Sequence, residues 1–157
     1  MSCIGASLTE TWTAARLATD GTSHGLGDNF NDGAGKVYKV VLFSDGTGDV
    51  AAVAGNMVYY VAETGAETFT VTSDLSDSSG VGAGMLMSAP ADGEYCWIQV
   101  AGPATLTTAL TAGADGNALT AVGATDGTLD VSALVTDHIC AIALDASARK
   151  VMLTCPI

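Results

Sequence analysis

The sequence predicts an all-β protein: a small barrel or sandwich of short antiparallel strands with an N-terminal arm. Three observations carry this expectation. Apolar runs of four to eight residues recur from Lys36 onward, with Gly- and Asp-rich turns between them. No 3.6-residue periodicity is sustained over that stretch, so packed helices are not expected. The hydrophobic fraction of 48% is too high for a disordered chain. With only 2 Trp, 4 Tyr and 3 Phe, the core must be built largely from small residues. A chain of 157 residues suits one domain with an arm and can bury about 70% of its unfolded surface.

Texture places the division near Lys36, giving an arm over 1–35 and a β domain over 36–157. The arm is rich in Gly, Thr, Ser, Asn and Asp, and its large apolar residues are Leu8, Trp12, Leu17, Leu26 and Phe30. Ser7 with Glu10 fits a capping box that would start a helix at Leu8. Thr9, Thr11 and Thr13 oppose it, because branched Cβ atoms favour extended chain. Helix and extended arm both stay open. A stretch this sparse cannot form its own core. Its apolar residues must therefore dock on the same subunit, a neighbouring copy or another protein.

The β domain reads as a series. Strands are predicted at residues 37–43, 50–53, 57–62 and 68–72, then a flexible loop over 73–84 before Met85-Leu86-Met87. Residues 95–101 form the clearest strand, with Tyr95, Trp97 and Gln99 on one face and Cys96, Ile98 and Val100 on the other. Gly102-Pro103 then bends the chain. Further strands are expected at 105–110, 118–122, 129–134, 138–144 and 151–154. One echo stands out: Asp45-Gly46-Thr47-Gly48-Asp49-Val50 matches Asp126-Gly127-Thr128-Leu129-Asp130-Val131. A duplicated hairpin would explain it, but two turns chosen by the same geometry are the better reading.

Seventeen acidic residues against 5 basic ones give a formal charge of −12. Phosphate binding needs clustered Lys and Arg, so neither nucleic acid nor an anionic membrane is expected as a partner. Met1-Ser2-Cys3-Ile4-Gly5 lacks the basic and apolar regions of a secretory signal, and no apolar stretch approaches a membrane span. Synthesis in a reducing cytoplasm is expected. Cys3, Cys96, Cys140 and Cys155 are scattered, without any C-x-x-C pair, so a disulfide framework is a weak reading. Cys96 and Cys140 read as small core residues. His138 and Cys140 would share a strand face and could begin a zinc site, the less favoured reading.

Chemistry is hard to place. No G-x-S-x-G elbow is present, and His24 and His138 are the whole histidine complement. In Gly80-Val81-Gly82-Ala83-Gly84, Met85 stands where a dinucleotide loop needs its third glycine. Asp28 to Gly33 has acidic density, but Phe30 fills a ligand position of a calcium loop and Lys39 stands where its bidentate Glu belongs. Most acidic residues neighbour Gly, Thr or Ser, where they cap turns. No active site, metal or cofactor is nominated.

The most individual part of the chain is Gly93-Glu94-Tyr95-Cys96-Trp97-Ile98-Gln99-Val100-Ala101-Gly102-Pro103-Ala104. After it come Ala112-Gly113-Ala114-Asp115-Gly116, the apolar strand Asp137-His138-Ile139-Cys140-Ala141-Ile142-Ala143-Leu144-Asp145, and Val151-Met152-Leu153. This order resembles the C-terminal half of the small decoration, or cement, proteins of tailed-bacteriophage heads, over residues 93–157. The resemblance implies a non-enzymatic β-rich homotrimer on the outer capsid surface of the virion. There it would bind the major capsid protein and lock neighbouring shell subunits, with an arm reaching across the shell. In that setting Leu8, Trp12, Leu17 and Phe30 are the candidate contacts to shell protein or to an adjacent copy. The competing expectation is a tail-fibre, receptor-binding or carbohydrate-binding β module, with Tyr59, Tyr60 and Trp97 as a sugar platform.

Overall fold

A computed structural model describes residues 7–19 and 24–157, without the side chains of 17–19. In chain order it holds helix α1 (Ala14–Thr19) and strands β1 (Asn29–Asn31), β2 (Val37–Ser44) and β3 (Met57–Val61). The one-turn helix α2 (Gly65–Thr68), β4 (Thr70–Thr72) and a 3-10 turn (Leu75–Asp77) follow. Then come β5 (Ser78–Leu86), β6 (Tyr95–Thr105), β7 (Ala118–Thr120), β8 (Asp130–Val131), β9 (Ile139–Asp145) and β10 (Lys150–Thr154).

Five of these strands close a barrel. β2 pairs in parallel with β4; β4 pairs with β3, β3 with β5 and β5 with β6, and β6 returns to β2. Closure leaves these strands few free edges. The predicted all-β architecture is therefore a barrel with extra strands. β6 joins the two parts. Its residues 95–101 pair with β2 and its residues 101–105 with β10. Ala101 faces Val37 on one side and Thr154 on the other, so β10 takes over the edge that β5 holds at Ile98 and Gln99. From there β10, β9, β7 and β8 extend a second sheet. Gly102-Pro103 does not end the strand, as expected from sequence, but lies inside β6 at this handover. Pro103, with no N–H to give, sits opposite Met152.

Alternation along the strands makes two cores. Cys96, Ile98 and Val100 of β6 enter the main one, while Trp97 joins Trp12, Tyr38 and Val40 in a second cluster, with Tyr95 packed against it. β2 divides in the same way, Val41 and Phe43 inward and Tyr38 and Val40 outward. Each fully buried Val, Ile or Phe here contributes about 1.5–3 kcal/mol.

Other expectations need correction. Residues 73–84 are not a loop, since 75–77 form the 3-10 turn and 78–86 a barrel strand. Residues 50–53 and 106–110 lie outside any strand, and 129–134 narrows to Asp130–Val131. The arm combines both of its open readings. Glu10 N–H donates to the Ser7 carbonyl in a turn, and Trp12 exchanges two backbone hydrogen bonds with Tyr95, of 3.1 and 2.8 Å. Only at Ala14 does α1 begin, with Thr13 Oγ1 accepting from Arg16 N–H. The helix starts after the β-branched threonines rather than running through them.

Candidate functional site

The arm's apolar residues have a visible destination. Trp12, 8% exposed, sits in the second cluster with Tyr38, Val40 and Trp97, and Leu8 and Phe30 pack against it. β1 carries Phe30 into register opposite Tyr38. The Phe30 ring stacks on Tyr38 at 6.2 Å and meets Trp97 edge-on at 6.4 Å, while His24 meets Trp97 edge-on at 5.1 Å. Of the three destinations open to the arm, these contacts are with the chain's own barrel. The side chain of Leu17 lies outside the described residues. The seat is imperfect. Trp12 Nε1–H is buried without an acceptor among the described residues, at a cost of about 1–3 kcal/mol.

Lys39 is a feature that sequence reasoning placed only as a poor calcium ligand. It is 3% exposed, and its Nζ donates to the Tyr60 hydroxyl at 3.3 Å and the Pro156 carbonyl at 3.2 Å. Nζ also lies 5.4 Å from the centre of the Phe69 ring. Burial pulls the ammonium below its ordinary 10.5, and the neighbouring Cys155 thiol opposes this. Burial raises the Tyr60 hydroxyl as well. Period-2 alternation could have flagged Lys39, since it shares a face with Val41 and Phe43.

Cys96, Cys140 and Cys155 are free and buried, as the core reading of Cys96 and Cys140 expects. Burial pushes the Cys96 thiol up to about 12. The Cys155 thiol is raised by its hydrogen bond with Cys140 and by burial, and its Sγ donates to the Cys140 carbonyl at 3.5 Å. These are unreactive thiols. His138 is exposed whereas Cys140 is fully buried. His138 precedes β9, which begins at Ile139, so strand alternation does not carry it to the face of Cys140. Among the described residues, no set of three or more His, Cys, Asp and Glu is placed to hold a metal ion.

The acidic residues act mainly on backbone. Asp28 accepts from Gly25 N–H, Asp32 from Ala34 and Lys36, and Asp145 from Ala148. The two echoed turns converge on the 3-10 turn. Asp77 accepts from the Thr47 N–H and hydroxyl, Asp74 accepts from Gly48 N–H, and Asp126 accepts from Leu75 N–H. The Ser76 hydroxyl, followed by the backbone N–H groups of Gly48, Ser76 and Asp77, holds Asp74 below the ordinary carboxylate range. Gly46 and Gly127 occupy the same place in the echo and share a left-handed φ, +74° and +72°, as a common turn geometry requires.

Tyr59, Tyr60 and Trp97 are 0, 3 and 1% exposed, so these three form no sugar platform. The Tyr59 hydroxyl instead donates into the carbonyls of Thr125 and Thr128. The apolar surface lies elsewhere. Ile142 and Leu144 of β9 point outward, 42 and 46% exposed, with Met152 of β10 beside Ile142. Leu134 and Val135, in the loop before β9, are 64 and 105% exposed. An all-apolar strand carries no sequence mark of which side faces water, so these positions were hidden among core residues. No helix among the described residues is long and apolar enough to cross a membrane. No family model, curated protein or solved structure matches the chain.

Proposed function

We propose that this chain is a non-enzymatic structural protein of a virion, a decoration or cement protein bound to the outer surface of a phage head. The observation that supports the reading is the outer face of β9, where Ile142 and Leu144 stand out from a sheet anchored to a closed barrel. Contiguous apolar side chains exposed on a rigid element mark a contact surface rather than a core. In this reading the face meets the major capsid protein, and a homotrimer multiplies contacts that are individually weak. The −12 charge keeps the free protein soluble. Neither nucleic acid nor membrane takes part. Leu8, Trp12 and Phe30 would touch the shell only after the arm left its seat, whereas the β9 face needs no rearrangement.

Co-sedimentation with purified heads of the phage that encodes the chain tests this. The protein pellets in stoichiometric amount with the heads, and Ile142→Asp with Leu144→Asp abolishes pelleting while leaving the circular dichroism spectrum unchanged. Wild-type protein that stays in the supernatant, alongside its absence from purified virions, overturns the reading.

A further inference from the structure

We propose that Cys140 and Cys155 are an oxidisable pair, which a disulfide oxidant such as oxidised glutathione joins into a bond between β9 and the residue that follows β10. Backbone geometry brings them together. β10 runs antiparallel to β9, with Met152 opposite Ile142 and Leu153 opposite Ala141. One step further along, β10 carries Thr154 to the level of Cys140 and leaves Cys155 diagonal to it. A neighbour one residue off register lies roughly 6 Å away between Cα atoms, inside the window of about 4.4–6.8 Å that a disulfide spans.

Both side chains turn to the same interior. Val151, Leu153 and Cys155 alternate inward along β10, and all three are buried. Cys140 arrives there through a β-bulge. Leu119 of β7 pairs with Ala141 and Thr120 with Ile139, so Cys140 is the extra residue of β9. Cys140 and Ala141 are therefore buried in succession, where a regular strand would have turned one of them outward. Cys155 Sγ lies 3.5 Å from the Cys140 carbonyl oxygen, and the two thiols are within hydrogen-bonding reach of each other. Closing the bond needs small turns of two side chains, not movement of a strand.

Position gives the two cysteines different parts. Burial shields both thiols, so reaction waits on local opening. Cys140 lies inside β9, between β7 and β10, whereas Cys155 lies just past β10 between exposed Thr154 and Pro156. Opening is easier at Cys155. The Lys39 ammonium, which donates to the Pro156 carbonyl, acts against burial there and favours the thiolate. Cys155, as thiolate, attacks one sulfur of the oxidant, and the other sulfur leaves as a thiolate with the electron pair of the broken S–S bond. Cys140 then gives up its proton, attacks Cys155 Sγ and expels the second thiol. Two protons and two electrons pass to the oxidant, which ends as two thiols.

The test treats folded full-length chain with oxidised glutathione, blocks the remaining thiols and maps the peptides. Arg149 and Lys150 stand between the two cysteines, so trypsin leaves them on separate peptides that only a disulfide joins. Those peptides are recovered joined, and Cys96 stays free. Closing a loop of about 15 residues lowers the unfolding equilibrium constant about a hundredfold, and dithiothreitol reverses the gain. Cys155→Ala shows neither link nor gain. Peptides that stay separate, a glutathione adduct that persists on Cys155, or a link that forms only in denaturant overturn the proposal. A bridged form no more stable than the reduced one does the same. The inference does not rest on the capsid reading: a chain that bridges without binding heads loses that reading alone, and one that binds heads without bridging loses this one.

Discussion

At the scale of single residues, the most informative is one with the wrong polarity for its place. Lys39 turns inward on β2 with Val41 and Phe43, and its ammonium is held by a hydroxyl and a carbonyl, not by a carboxylate. A buried cation without a counter-charge costs stability unless it is well hydrogen-bonded. Its value lies below 10.5 in the fold, so the unfolded chain binds the proton more readily. Stability therefore falls as pH drops from 10.5 through the folded value, and below that the cost is constant. Lys39→Met removes this dependence. We expect it to stabilise the protein by about 1 kcal/mol at neutral pH, within the range for replacing buried charge with apolar groups. The advantage should shrink as pH approaches 10.5. Urea unfolding of both proteins from neutral to alkaline pH gives the difference, and Tyr60 and Cys155, whose values are raised, titrate in both. A destabilised Lys39→Met at neutral pH would mean that the bonds to Tyr60 and Pro156 outweigh the burial of charge.

At the scale of elements, the arm holds by the Trp12–Tyr95 bridge, by β1 on β2 and by one aromatic seat. Trp12→Ala vacates that seat and should cost about 3 kcal/mol, at the lower end for a buried Trp. Trp12→Phe also discards a buried N–H that has no acceptor among the described residues, so its loss should be under about 1 kcal/mol. Chemical denaturation separates the two, and equal losses would show that the indole N–H finds a partner. The same elements show what was legible. β2, β3, β6, β9 and β10 could be read because large apolar residues and turn residues alternate at strand spacing. β5 could not, because Gly80, Gly82 and Gly84 remove the side chains by which a strand is recognised. The structure uses their absence: a Cβ on Gly84 would come 2.5 Å from the Gln99 carbonyl oxygen of the neighbouring strand. The arm's candidate contacts were legible as apolar positions, but their destination was not, since no local pattern states which surface a Trp will cover. The exposed tip at Leu134 and Val135 stayed hidden because the carboxylate that pins it, Asp137, reads in sequence as one more turn aspartate.

At the scale of the molecule, the barrel and the second sheet are joined along a tight seam. β6 belongs to both, Met57 N–H reaches the Gly127 carbonyl at 2.8 Å, and Thr108 donates to Asn56. One close approach is at Gly82 of β5, where an added Cβ would lie 2.6 Å from Cys140 Sγ and 3.0 Å from its Cβ. Sγ ends a side chain with one rotatable bond whose swing is limited by burial, and Cβ cannot move without the backbone. Gly82→Ala should therefore force the two parts against each other and cost about 2 kcal/mol, the usual scale of overpacking. Cys140→Ala in the same chain removes the nearer atom and should return part of that loss, so the two changes are not additive. The sequence provides the readout. Every Trp, Tyr and Phe lies at or before residue 97, so tryptophan fluorescence follows the barrel and its arm, while far-ultraviolet circular dichroism follows both parts. If the seam makes one cooperative unit, the two transitions coincide in wild type and shift together in Gly82→Ala. A circular dichroism transition that splits, with the fluorescence midpoint unmoved, would show that the second sheet folds on its own and that β6 is only a tether between two units.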